Sequence, residues 1–358
     1  MYYNSSIMIN GRCIDINSPT YFVADVASNH NGDLAAAKEL IWLAKEAGAD
    51  AVKFQHFLAE KIVSDYGFQH LEVHASHQAN WKKSVYDTYK EAEFHRDWNE
   101  ELAIESQKAN ITYFTSPYDF EAVDGMEKYV PAYKIGSGDI TWIDFIEYLA
   151  KKNKPVMIAT GASEMWEVEQ AVNAIIKYNP NIILMQCNTN YTGVFENFKY
   201  INLNVLKSYS IRYPNMVLGL SDHTPGHTTV LGAIALGARV IEKHFTADNQ
   251  QIGPDHAFSM NPLSWKEMVE RARELEYALG TGVKEIEGNE RETVELQRRS
   301  VRLKHDVSAG TILTVDDLEE LRPAPRKSVL PYQKKDVLGK KLTIDKKKGD
   351  CIRFNELE

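Results

Sequence analysis

Eight short apolar runs, each followed by a helix-like stretch, constrain this chain more than any other feature. They are Tyr21–Ser28, Ala51–Phe57, Thr112–Ser116, Ala132–Ser137, Pro155–Thr160, Ile182–Asn188, Val217–Asp222 and Val240–Phe245. Eight strand–helix units in a row are what a parallel (β/α)8 TIM barrel requires, and such barrels keep their chemistry at the carboxyl ends of the strands. Most of these runs end in polar or charged residues. Ser221-Asp222-His223 and Glu242-Lys243-His244 crowd acids and imidazoles where a barrel core needs neither.

Before the first run, residues 6–16 read as a β-hairpin. Asn10-Gly11 supplies the turn, and Ile7–Ile9 and Cys13–Ile16 the strands. Asp33 is placed to cap a helix over Leu34–Ala47 that Gly48 ends. Later helices are expected near Phe94–Ala109, Phe120–Tyr129, Trp142–Lys152, Trp166–Tyr178, His227–Gly237 and Leu263–Leu279. The connection 58–93 is long for a barrel, and loops of that size serve as lids or substrate contacts. The barrel domain is expected over 1–283, a charged linker over 284–298 and a small β-rich domain over 299–358. The last part carries an internal repeat. Asp306–Gly310 leads to Leu318 eight residues on, as Asp345–Gly349 leads to Leu357.

The chain has 358 residues, 44% hydrophobic and 25% charged, ordinary for a globular protein. No run is apolar for long enough to span a bilayer. The start, MYYNSSIMINGRC, lacks the pattern of a secretory signal. Cys13, Cys187 and Cys351 are far apart and form no zinc spacing or disulfide framework, so a cytoplasmic protein with reduced thiols is expected. A net charge of −9 argues against nucleic acid as partner. It does not argue against a small anion, because surface charge is screened beyond about 8 Å.

Side chains alternate along a strand, so Lys53 and Gln55 share a face, as do Ser221 and His223, and Glu242 and His244. Asp222 and Lys243 fall on the opposite face. His223 and His244, at the ends of adjacent strands, are candidate ligands of one metal ion with open positions. The alternative for each is a buried, hydrogen-bonded histidine. Lys53 and Lys134 are candidates for a phosphate or carboxylate, and the alternative partner is a barrel carboxylate such as Glu242. Thr115, Ser116, Ser137 and Ser221 are candidate hydroxyl donors to the same anion.

Asn29-His30-Asn31-Gly32-Asp33, Lys53-Phe54-Gln55, Ser221–Gly226, Glu242–Thr246 and Gly253-Pro254-Asp255-His256 together resemble the sialic acid synthases. The terminal repeat, entered by Arg298-Arg299-Ser300, resembles that family's antifreeze-like domain, a small β-clip fold. The resemblance implies condensation of phosphoenolpyruvate with an open-chain N-acylated amino sugar to give a nonulosonic acid. It implies manganese or magnesium on His223 and His244. It assigns Lys53, Thr115, Lys134, Ser137 and Ser221 to phosphoenolpyruvate, and Asn80, Tyr191, Asp255 and Arg322 to the sugar. Asp25 and Glu242 are the implied proton-moving or water-orienting acids. Arg322 would enter the barrel of a second subunit, which implies a homodimer with swapped terminal domains.

Three departures stand out. Asp25 replaces the family's usual glutamate, no proline follows Tyr191, and Arg322–Lys327 replaces an arginine-proline-glycine loop. All lie on the sugar-facing side, so the expectation is retained phosphoenolpyruvate chemistry with a changed acceptor. Pseudaminic, legionaminic or a related acid then competes with sialic acid as product. Two other readings are a deoxy-ulosonate synthase using a phosphorylated aldose and a non-catalytic carbohydrate- or ice-binding protein.

Overall fold

The computed structural model describes residues 2–71, 81 and 83–358. A hairpin comes first, with β1 (Ser6–Ile9) antiparallel to β2 (Arg12–Asp15). Asn10 and Gly11, with φ of 46° and 78°, make its turn, both left-handed as a two-residue hairpin requires. The next eight strands close into a parallel barrel. They are β3 (Tyr21–Ala27), β4 (Ala51–His56), β5 (Thr112–Pro117), β6 (Tyr133–Ile135), β7 (Val156–Ala159), β8 (Ile182–Cys187), β9 (Val217–Asp222) and β10 (Ala238–His244), which pairs back onto β3. Their residues are buried on both faces, which explains why each strand reads as a continuous apolar run rather than an alternating one.

Helices cover the barrel. Leu34–Glu46 starts where the Asp33 carboxylate accepts the backbone N–H of Ala35, and Gly48 leaves it at φ 94°. The helix expected from Phe94 begins instead at Asn99, after a 3-10 turn at Arg96–Trp98. Phe94 is withdrawn into the core, where its ring meets Phe54 and His56. Helix Val205–Arg212 lies outside the expected helices. Only Leu206 and Tyr209 of it are buried, too few for a clear apolar stripe. In the segment after β4, the described residues form helices Ala59–Ile62, Asp65–Gln69 and Val85–Glu91. Among the described residues, no helix is long and apolar enough to cross a membrane.

The chain divides into two compact units, Met1–Gly280 and Thr281–Glu358. In the second, the stretch 284–298 carries helix Arg291–Gln297. Strands β11 (Ser300–Leu303) and β12 (Leu318–Leu321) pair antiparallel over a core that includes Val301, Leu313, Val329 and Ile352. The two repeats exchange equivalent bonds. Asp306 accepts the N–H of Lys348, and Asp345 accepts the N–H of Ala309. Val307 and Lys346 bond each other's backbone in both directions. The sequence repeat is therefore a structural pseudo-symmetry.

Alternation carries Asp222 and Lys243 to the outer face of the barrel wall, where register sets them side by side. The two form a buried ion pair. Thr224 and Thr229 donate hydroxyls to the same carboxylate, and Lys243 also donates to the Thr224 carbonyl. Burial alone would raise the Asp222 carboxyl, but the Lys243 ammonium and the threonine hydroxyls outweigh it and hold it below its ordinary value. A group depressed in this way contributes stability that is present above its unfolded pKa and lost as pH falls through its folded one. Lys243→Met leaves an uncompensated buried carboxylate and should cost about 3–5 kcal/mol in urea denaturation, with the deficit shrinking under acid. A cost below about 1 kcal/mol at neutral pH would show that the pair does not secure this strand end.

Candidate active site

Register assembles the chemistry. Asp25 on β3 stands opposite Lys53 on one side and His244 on the other. Glu242 stands opposite Ser221. All face the barrel interior at the carboxyl ends of their strands. Asp25, Lys53, Lys134 and Glu242 are each less than 5% exposed, a burial that four charges tolerate only as a mutually paired set.

They are so paired. Lys53 Nζ lies 2.8 Å from Asp25 Oδ2 and 3.6 Å from Glu242 Oε1, and Lys134 Nζ lies 2.6 Å from the same Glu242 oxygen. Both ammonium groups point inward, and their partners in the free chain are carboxylates, as the alternative reading had it. Ser116 Oγ lies 3.0 Å from Lys53 Nζ, and Ser221 donates to Glu242 Oε1 at 3.2 Å. Ser137 Oγ accepts the Gly161 N–H at 2.9 Å, and its hydroxyl also bonds the Cys187 thiol.

The two acids differ in what remains open. Asp25 is saturated: Oδ1 accepts the Ala27 N–H, and Oδ2 accepts from Lys53 and from Gln55 Nε2 at 3.0 Å. Glu242 Oε2 is buried with no partner among the described residues. Burial pushes both carboxyls up, but Lys53 for Asp25, and Lys134 with Lys53 for Glu242, pull both below their ordinary values. Burial likewise pulls Lys53 down, and the two carboxylates more than restore it. Asp25 and Glu242 are therefore held as carboxylates and Lys53 as an ammonium in the neutral range.

His223 and His244 come together as expected, with ring centroids 5.3 Å apart. His223 Nδ1 donates to the Asn188 carbonyl at 2.9 Å, which puts the ring's lone pair on Nε2, and the imidazole also meets the Cys187 thiol. His244 Nδ1 is buried without a partner, and its Nε2 lies 3.7 Å from Asp25 Oδ2. Among the described residues, no group of three or more His, Cys, Asp or Glu side chains is arranged around an ion. The donor set that the described residues offer is the two imidazoles, with His244 Nδ1 unengaged among them, and a pair of this kind leaves most positions of an ion open.

Tyr191 packs against both imidazoles, tilted to His223 with ring centroids 4.3 Å apart and edge-on to His244 at 6.0 Å. Asp255 accepts the Ser28 hydroxyl at 2.5 Å on one oxygen. Both residues line a cavity of about 380 Å³ that also reaches His244, Ser137 and Asp139. Burial raises the Asp139 carboxyl to about 6.

Thr115 is a correction. Strand alternation turns it to the outer face, where its hydroxyl meets His56 Nδ1 at 2.5 Å and not Lys53; the inward hydroxyl is that of Ser116. Asn80 lies outside the described residues. Arg322 belongs to the second unit. Ser28 and Asp139 carried no sequence signal of their own, since their roles arise from where the strand-end turns at Ala27 (φ 48°) and Ser137–Asp139 aim them.

Comparison with known proteins agrees with this architecture. Residues 40–284 match the model of the NeuB family, and residues 298–358 that of the SAF domain. The N,N'-diacetyllegionaminic acid synthase of Campylobacter jejuni is 34% identical, over 93% of this chain and 99% of its own. The human N-acetylneuraminate-9-phosphate synthase is 32% identical, over 96% of this chain and 94% of its own. A crystal structure of N-acetylneuraminic acid synthetase from Leptospira borgpetersenii, in complex with citrate, superposes with a TM-score of 0.71 at 30% identity. It covers 82% of this chain and 96% of its own. The chain therefore belongs to the NeuB family and carries a C-terminal SAF domain.

Proposed function

We propose that this chain is a nonulosonic acid synthase that condenses phosphoenolpyruvate with an open-chain N-acylated amino sugar. The observation that carries the reading is the buried pair of inward ammonium groups beneath two adjacent imidazoles. Phosphoenolpyruvate brings a phosphate and a carboxylate, and Lys53 and Lys134 answer them with charge-assisted bonds. Ser116, Ser137 and Ser221 complete the cradle. Anion binding would draw the ammonium groups from Asp25 and Glu242, so the donor replaces one set of partners with another.

Asp25 orients Lys53 and stays ionised. Glu242, with one oxygen unengaged, takes the proton of the water that adds at C2. The C3 carbon of phosphoenolpyruvate forms the new bond to the aldehyde carbon, and phosphate leaves by C–O cleavage. A divalent ion, manganese or magnesium, held by His223 and His244 would supply Lewis-acid polarisation of the aldehyde. Tyr191 and Asp255 contact the sugar, together with Asn80 and the partner protomer's copy of Arg322 in a swapped homodimer. The cytoplasm fits these substrates and three well-separated free cysteines. The legionaminic acid synthase relative supports a diacetamido sugar as readily as a mono-acetylated one.

Three outcomes test this reading. Glu242→Gln should lower kcat by about 10²–10⁴-fold, whereas Asp25→Asn should chiefly raise KM for phosphoenolpyruvate. Reversal of that pattern would exchange the two roles. Stripping divalent ions with a chelator should abolish phosphate release, and manganese or magnesium should restore it in the wild type but not in His223→Ala; full activity after stripping would exclude the ion. Mixing inactive His223→Ala and Arg322→Ala homodimers after mild dissociation should recover part of the wild-type activity, since one hybrid site receives both intact residues. No recovery, with hybrids formed, would contradict the shared site.

A further inference from the structure

The cavity has two chemically distinct flanks. Its polar lining, including Ser28, Gln55, Ser137 and Asp255, suits sugar hydroxyls. The lining drawn from one stretch of the chain is, by contrast, mostly apolar. Among the described residues it comprises Phe57 at the end of the second barrel strand, with Ile62, Trp81 and Ala92 from the segment that follows, interleaved with Thr88 and Tyr89. The rings are continuous. Phe57 lies 5.4 Å from Tyr89 and 6.0 Å from Tyr118, and Trp81 lies 6.2 Å from Tyr89, between centroids. Phe57 and Ala92 are nearly inaccessible, and Ile62 is half-buried.

An aromatic wall beside a polar cavity is unneeded for phosphoenolpyruvate, whose groups are anionic. It is equally unsuited to sugar hydroxyls. The apolar part of an N-acylated amino sugar is the alkyl end of its acyl group. We propose that Phe57, Ile62, Trp81 and Ala92 form the subsite for that acyl group and set the length of acyl chain accepted. The inference rests on the synthase reading above and adds to it a place and a selectivity. Its shape has a direct consequence. Ile62 and Ala92 contribute one large and one small side chain to this lining, so trimming the first and enlarging the second change the room for an acyl chain in opposite directions.

The test uses the full-length protein with phosphoenolpyruvate and an acceptor series bearing N-formyl, N-acetyl and N-propanoyl groups, monitored by phosphate release. The readout is the ratio of kcat/KM between neighbouring acyl groups, in which any general loss of folding or turnover cancels. Ile62→Ala should shift the propanoyl-to-acetyl ratio upward by about tenfold, the scale of one methylene in a hydrophobic pocket. Ala92→Leu should shift the acetyl-to-formyl ratio downward by a similar factor, and KM for phosphoenolpyruvate should stay within about twofold in both variants. Ratios unchanged in both variants would overturn the subsite while leaving the synthase reading intact. Absence of phosphate release from the wild type with every acceptor, including the diacetamido forms, would overturn the synthase reading and the subsite together.

Discussion

The site depends on one interaction set: two lysines and two carboxylates paired inside the mouth of a closed barrel. Isolated charges at that depth are costly, and the four are tolerated because opposite charges meet there, from adjacent strands for Asp25 and Lys53 and across the barrel interior for Glu242. Asp25 meets Lys53 across the β3–β4 pairing, and Glu242 reaches both Lys53 and Lys134. Removing any member strands another, so the cluster acts as a unit. It is also poised, because carboxylates that hold ammonium groups in the free protein can yield them to an incoming phosphate.

The barrel wall divides its labour by face. At the ends of β9 and β10, residues Ser221, His223, Glu242 and His244 face the barrel interior and the proposed site. The intervening Asp222 and Lys243 lock the strands together from outside. The same alternation operates on β5, where Ser116 turns inward to Lys53 and Thr115 turns outward to His56. Chemistry and bracing are thus interleaved residue by residue. A shift of one position would exchange them.

Much of this was legible in the sequence. The eight apolar runs declared the barrel, because a sheet buried on both faces needs continuous apolar strands. The period of two grouped Lys53 with Gln55, and Glu242 with His244, on the correct side. The Asp306 and Asp345 repeats matched a domain whose halves exchange equivalent bonds. What was not legible depends on geometry. Thr115 and Ser116 are neighbouring hydroxyls, and motif reading assigned the site to the one that register turns away. Asp25 and Glu242 look interchangeable as carboxylates, and only the count of their bonds separates a saturated anchor from an acid with a free oxygen. Phe94 follows a helical pattern but is needed by the core, which delays the helix to Asn99.

The distinction between anchor and reactive acid makes the fate of water the central claim. Turnover in ¹⁸O-labelled water tests it directly, with the released phosphate analysed by mass spectrometry. If water is delivered to C2 of the donor and the C–O bond breaks, the phosphate retains its original bridging oxygen and carries no label. Phosphate bearing one ¹⁸O would mean attack at phosphorus, and the assignment of the buried lysine–carboxylate cluster to this condensation would fail.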